Sequence, residues 1–379
     1  MTANAWPCAV WLDGRWTCHD PRFTLRHAQR HTPSHLLCAP APRTSARLHA
    51  GTCRRGDGAP HHFHPNPETA ADNAYQGLSG APASELARRA HAEVTEAAAQ
   101  LRQAGVRVHL FDDEDPHGSM GQPATPDSVF PNNWFSTHAG GHVALYPMYA
   151  PSRRRERRSD IIELLKAQYR VQEVVDYSGL EADNVFLEGT GAMVLDHVGR
   201  VAYTAQSHRA NPVALERFCT HFQYEPMVFA TADATGQPCY HTNVMLCIGT
   251  EFAMGGFHMV SDPQRRREVQ ERLWESGRNL IELGPEQITN FAANALELQS
   301  RSGPVLALSA RAAACLTPAQ RRALEQHTTL LPLAVPTIEL AGGSVRCMLA
   351  GIHLAPRPSM APASREASAT STNLIQIGT

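Results

Sequence analysis

Along most of its length the chain repeats one local grammar: an amphipathic helix, a glycine or polar turn, then a short apolar strand. An alanine-rich helix is predicted from Ser84, its cap, to Gly105, with Leu86, Ala90, Val94, Ala97, Ala98 and Leu101 on one face. A strand over 106–111 follows at once. The same order recurs as helix 212–221 then strand 227–229, helix 262–276 then strand 280–283, helix 285–298 then strand 305–308, and helix 317–327 then strand 330–335. Hairpin-like pairs lie between them, 192–196 with 201–204 and 244–248 with 257–260, and a first buried strand is read at 35–39. This grammar predicts an α/β fold built from a repeated unit of two or more strands and one helix, without detectable identity between copies. One repeated module explains it more economically than two unrelated domains.

The 379 residues, 42% of them hydrophobic, can bury a large core. A formal net charge of -2 gives no general attraction to nucleic acid or to acidic membranes, so the expected partner is a small molecule. Nine cysteines, an odd number with no Cys-x-x-Cys pair, make neither a disulfide framework nor a zinc site, and a reducing cytoplasm is expected. No signal peptide or membrane span is read. The histidines in His61-His62-Phe63-His64 lack matching ligand spacing and are not read as a metal site. The arginine run 153–158, ahead of an apolar helix at 161–165, reads as a solvated or anion-binding loop. Residues 1–33 read as a poorly ordered extension and 356–379, rich in Pro, Ser, Ala and Thr, as a disordered tail.

Four polar islands interrupt this apolar pattern: 126–135 (Pro-Asp-Ser-Val-Phe-Pro-Asn-Asn-Trp-Phe), 184–191 (Asn-Val-Phe-Leu-Glu-Gly-Thr-Gly), 240–244 (Tyr-His-Thr-Asn-Val) and 341–348 (Ala-Gly-Gly-Ser-Val-Arg-Cys-Met). Between them they supply a cysteine, a histidine and a carboxylate. Those are the parts of nucleophilic catalysis: a thiol, a proton shuttle and a group that orients the shuttle. Serine chemistry has no comparable candidate, because no Gly-x-Ser-x-Gly elbow is present.

These islands, in this order and with Ser207-His208-Arg209-Ala210-Asn211 among them, resemble the guanidino-group-modifying, or pentein, superfamily. That superfamily includes arginine deiminase, dimethylarginine hydrolase and arginine:glycine amidinotransferase. The similarity is strongest to its citrulline ureidase, or citrulline-utilisation hydrolase, branch. It rests further on Asn66-Pro67-Glu68-Thr69-Ala70, Asn73-Ala74-Tyr75-Gln76 and Tyr146-Pro147-Met148 ahead of the arginine run, and it covers residues 34–355. The resemblance implies a five-bladed α/β propeller of ββαβ pseudo-repeats around a central substrate channel. It implies Cys347 as nucleophile, His241 as general acid and base, and Glu188 as the carboxylate that orients His241. It further implies that Arg209 grips a substrate carboxylate and that Asp127 and Asn132 bind substrate.

Where relatives that process arginine place acids against the guanidinium, this chain has Asn133 and Asn243. Burying a cation with one partner missing costs about 3–5 kcal/mol, so arginine specificity is expected to be lost. A ureido group is neutral, with a carbonyl acceptor and N–H donors, and amides serve both. The expected reaction is therefore hydrolysis of citrulline's ureido group to ornithine, ammonia and carbon dioxide through a thioester on Cys347, with no metal or organic cofactor. Hydrolysis of arginine or methylarginine, and amidino transfer, are the alternatives.

Overall fold

The computed structural model describes residues 62–111, 125–233 and 235–358. The strand read at 35–39, the 1–33 extension, His61 and nearly all of the C-terminal tail lie outside the described residues. Pro356 still bridges Tyr169, and Arg357 Nε donates to the Lys166 and Tyr169 carbonyls, so packing runs slightly past the expected boundary.

Among the described residues, α1 (Ala83–Gln103) is the first α-helix, and four units of one plan follow it. The first unit is β1 (Phe135–His138), β2 (His142–Leu145), helices α2 (Pro151–Arg154) and α3 (Ser159–Gln168), and β3 (Glu173–Asp176). A short α4 (Gly189–Ala192) leads into the second, β4 (Met193–Asp196), β5 (Val201–Ala205), α5 (Pro212–Phe222) and β6 (Glu225–Phe229). The third is β7 (Leu246–Ile248), β8 (Phe252–Gly255), α6 (Pro263–Glu275) and β9 (Asn279–Glu282). After α7 (Pro285–Thr289) comes the fourth, β10 (Leu296–Ser300), β11 (Gly303–Ser309), α8 (Ala310–Cys315), α9 (Pro318–Glu325) and β12 (Thr329–Leu333). In each, an antiparallel pair is extended by a strand parallel to the middle one, giving four three-stranded sheets. The parallel step requires a crossover, which the helix supplies.

The helices start where polar caps precede proline. Asn211 and Asp262 accept from the amides of Val213 and Gln264, and Thr317 forms a reciprocal box with Gln320. The longer crossover helices lay an apolar face on the core. In α5 that face is Ala214, Leu215, Phe218, Cys219 and Phe222, where each large side chain contributes roughly 1.5–3 kcal/mol by leaving water.

Several predicted elements differ. The helix expected over 285–298 ends at Thr289, and Leu296–Ser300 forms the almost wholly buried strand β10. The partner of β7 is Phe252–Gly255, while Phe257–Met259 is a 3₁₀ turn. Ser84 makes no cap; α1 starts after Pro82. Residues 106–111 belong to no ladder.

The first strands of the units, β1, β4, β7 and β10, line one axial cavity together with Gly351 and His353. Thr137 Oγ1 donates to the Gly351 carbonyl at 2.9 Å and accepts from the His353 amide at 2.6 Å, tying the last described segment back to β1.

Candidate active site

The polar islands all fall on the residues just ahead of those axial segments: Asn132 and Asn133 before β1, Glu188 to Gly191 before β4, His241 to Asn243 before β7, and Cys347 before 351–353. The repeat therefore brings sequence-distant stretches together next to the first strands of the units. Asp127, Asn133, Arg209, His241 and Cys347 share the wall of a small pocket there. Asn132 is buried behind that wall, where its carbonyl accepts from Thr190 Oγ1 at 3.2 Å. Asn243 lies directly beside the sulfur.

Glu188 is fully buried, and its Oε2 accepts from His241 Nε2 at 2.8 Å. Burial alone would raise this carboxyl. The Arg209 guanidinium, the His241 hydrogen bond and Arg153 overcome burial and hold it well below the usual carboxylate range. A carboxylate only accepts, so His241 carries its proton on Nε2 and leaves Nδ1 as the basic nitrogen. Burial lowers His241 to about 4 despite Glu188, so the ring is neutral at pH 7. Room beside Nδ1 depends on Gly191, where a β-carbon would come within 2.8 Å of it.

Cys347 is buried, with two amides aimed at its sulfur: Asn243 Nδ2 at 3.4 Å and Asn294 Nδ2 at 3.2 Å. Asn294 was not among the residues expected from the sequence. Its Nδ2 also donates to the Asn243 carbonyl, and its Oδ1 accepts from the Ser344 and Arg346 amides, each at 3.1 Å. One side chain thus fixes the cysteine loop to the histidine loop. The signal that could have found it is positional, because Asn294 stands before β10 as Asn133 stands before β1. Gly342, at φ 79°, gives the loop its left-handed turn against Asn73.

Arg153 departs most from expectation. It is buried rather than solvated, because its guanidinium pairs with Glu156 through Nε at 3.0 Å and Nη2 at 2.9 Å. Asp127 lies 3.8 Å and Glu188 3.7 Å away. Oriented to satisfy its neighbours, the Asn133 amide accepts from Arg153 Nη1 at 2.6 Å and donates to Asn132 Oδ1 at 2.8 Å. Burial pushes the Glu156 carboxyl up, Arg153 opposes this, and the Asp127 and Glu188 charges reinforce it.

Arg209 is also buried, under Tyr240, with its fork on Asp72 and Nη1 3.4 Å from Glu188. The fork expected to grip substrate thus holds an internal carboxylate. Asp72 belongs to a strap, 66–77, that crosses the site. Asn66 donates to Asp127 at 2.8 Å, Glu68 accepts from Ser152, and Asn73 donates to the Ala341 carbonyl. A thiol, a neutral imidazole with a free basic nitrogen, an ionised carboxylate and several amides can together support attack by sulfur on a planar carbon and protonation of a leaving nitrogen.

Residues 59–354 match the family described as N,N dimethylarginine dimethylhydrolase, eukaryotic. No curated protein matches the chain in sequence. In three dimensions the chain is similar to the N-terminal domain of ArgZ, an arginine dihydrolase from the ornithine-ammonia cycle in cyanobacteria. The TM-score is 0.58 at 16% identity, over 78% of this chain and 96% of that one. Unliganded AgrE gives a TM-score of 0.59 at 17% identity over 79% of this chain and 39% of its own. At these identities the likeness shows a shared fold. The family match, covering most of the chain, goes further: the chain belongs to the dimethylarginine dimethylhydrolase family of the guanidino-group-modifying superfamily, hydrolases that act on non-peptide C–N bonds.

Proposed function

We propose that this enzyme hydrolyses the ureido group of citrulline. The observation that carries the reading is the chemistry around Cys347 Sγ, where the nearest polar partners are the neutral amides of Asn243 and Asn294. Asn133, the other position where a carboxylate would serve a guanidinium, is an amide engaged with a buried arginine. The buried carboxylates Glu156 and Glu188 already face Arg153 and Arg209, which leaves Asp127 for a substrate's α-amino group.

In this reading Cys347 Sγ attacks the ureido carbon while His241 Nδ1 takes the thiol proton. The negative charge that develops is met by the amide donors of Asn243 and Asn294. His241 returns the proton to the departing side-chain nitrogen, releasing ornithine and leaving a carbamoyl thioester on Cys347. Water, losing a proton to His241, attacks the thioester carbon and restores the thiol. The carbamic acid so formed breaks down to ammonia and carbon dioxide. Glu188 steadies the imidazolium in each half-reaction. Asp127 faces the substrate's α-amino group, and the α-carboxylate displaces Asp72 from the Arg209 fork, one carboxylate replacing another. No organic cofactor enters the chemistry.

We further propose a five-bladed closure, with α1 and residues 106–111 contributing to the fifth unit. The supporting features are the five segments that line the axial cavity and the bonds from Thr137 to 351–353. No helix among the described residues is long and apolar enough to cross a membrane.

A second reading, hydrolysis of arginine, draws on the similarity to ArgZ and AgrE. The test is turnover of citrulline, arginine and methylated arginines by the purified protein, with Cys347→Ser alongside. Ornithine and ammonia from citrulline, lost in Cys347→Ser, are expected. Turnover of arginine or methylarginine alone would refute the citrulline reading and leave the cysteine chemistry standing.

A further inference from the structure

Among the described residues, one group away from the cysteine pocket carries the donor set of a metal site: His142, Glu173 and His221. His142 opens β2 and Glu173 opens β3. The two are Cα partners in the parallel ladder, so their side chains leave the same face of the first sheet. His221 comes from the second unit, in the last turn of α5. That turn is anchored by Phe218 and Phe222, which are buried and pack against the His138 ring. All three donors therefore stand on backbone fixed by secondary structure and core packing.

The donor atoms converge. Glu173 Oε2 lies 3.2 Å from His142 Nδ1 and 3.5 Å from His221 Nε2, and the three atoms fall within 4.8 Å of one another. A tetrahedral zinc ion with ligand bonds of about 2.0–2.2 Å sets its donors about 3.3–3.5 Å apart. One of the three separations falls in that range and a second lies just below it. The side chains are 35%, 50% and 37% exposed, so the third can close by rotamer adjustment and an ion can reach the site from solvent. Two imidazoles and one carboxylate, with no thiolate, suit zinc and its late first-row neighbours better than calcium or magnesium, which prefer all-oxygen shells.

We propose that His142, Glu173 and His221 bind a zinc-class divalent cation, with water completing the shell, and that the ion clips the first sheet to the helix of the next unit. His142 pairs with His138, at the end of β1 away from Asn133, which places the site apart from the reacting groups. The ion is therefore structural. This departs from the metal-free expectation, which the sequence supports because no spacing motif joins three residues on separate elements.

The test is titration of the chelator-treated full chain with Zn²⁺ by calorimetry and with Co²⁺ by visible absorption, using the wild type, His142→Ala, His221→Ala and Glu173→Gln. The expected result is one equivalent bound, a rise in Tm with Zn²⁺, and citrulline turnover indifferent to the metal. Each alanine variant should weaken binding by about 100-fold or more, since even outer-shell changes at metal sites cost about 10–100-fold. Glu173→Gln, the least disruptive change, should lose the Zn²⁺-dependent rise in Tm while matching the metal-free wild type. No binding by the wild type, or equal binding by the His142→Ala/His221→Ala double variant, would overturn the proposal. So would a thiolate-to-cobalt charge-transfer band, which would place the ion on a cysteine.

Discussion

Asn294 makes four hydrogen bonds with one amide, to Cys347 Sγ, the Asn243 carbonyl and the Ser344 and Arg346 amides. Asn294→Ala removes a donor from the sulfur and the brace of its loop together. Steady-state kinetics should show kcat down by about 10²-fold, the usual effect of losing one such donor, and an unchanged kcat would remove Asn294 from the mechanism. Gly191→Ala is the complementary test, because its new methyl would press on the Asn133 amide and on His241 Nδ1. A displacement of about 1 Å there is expected to lower kcat by about 10²-fold. Cys347, His241 and Glu188 are candidates in the sequence through the order of the four polar islands and the family resemblance, and the structure sets Glu188 on His241 and puts His241 and Cys347 on one pocket wall. Asn294 was hidden by a helix read through to residue 298, since a five-residue alternation such as Leu-Glu-Leu-Gln-Ser is too short to outweigh a helical start at Pro285. Arg153 was hidden for a different reason. Nothing local distinguishes the one arginine of a run that turns inward.

The helix starts at 212, 262, 285 and 317 and the parallel strands at 227–229, 280–283 and 330–335 were read well, because capping residues, prolines and apolar runs are local signals. Strand pairing was read less well. The β7–β8 hairpin turns within a few residues, and only the ladder shows that 252–255 rather than 257–260 is the partner. The cap at Asn211 gives a stability test free of the site. Asn211→Ala should cost about 1 kcal/mol, read as a lower urea midpoint with kcat unaffected. The strap 66–77 gives a functional one. If the substrate carboxylate takes Asp72's place on Arg209, Asp72→Ala should lower KM for citrulline several-fold with little change in kcat. A raised KM would show instead that Asp72 holds Arg209 in its binding position.

The whole molecule buries several histidines in neutral form, and this sets its response to acid. Burial lowers His241 and His353 to about 4 and holds His138 and His197 well below 6.5. Unfolding returns each to its ordinary value, so the unfolded chain binds more protons below pH 6.5. Stability is therefore fully present above that pH and falls as pH drops toward 4. Glu156, raised by burial, opposes this with a single proton, and Glu297 and Glu339 act in the same opposing sense. Denaturant midpoints should fall between pH 6.5 and pH 4.5, less steeply than the histidines alone would give; a rise would contradict the buried, neutral imidazoles. The same repeat that buries these rings also gathers Glu188, His241, Asn294 and Cys347 ahead of the axial segments, and the function proposed rests on that gathering. The measurement that bears on it most directly uses citrulline carbon-labelled at the ureido position. Labelled carbon dioxide released in step with ornithine is the predicted result. Label retained in citrulline, while arginine is consumed, would contradict it.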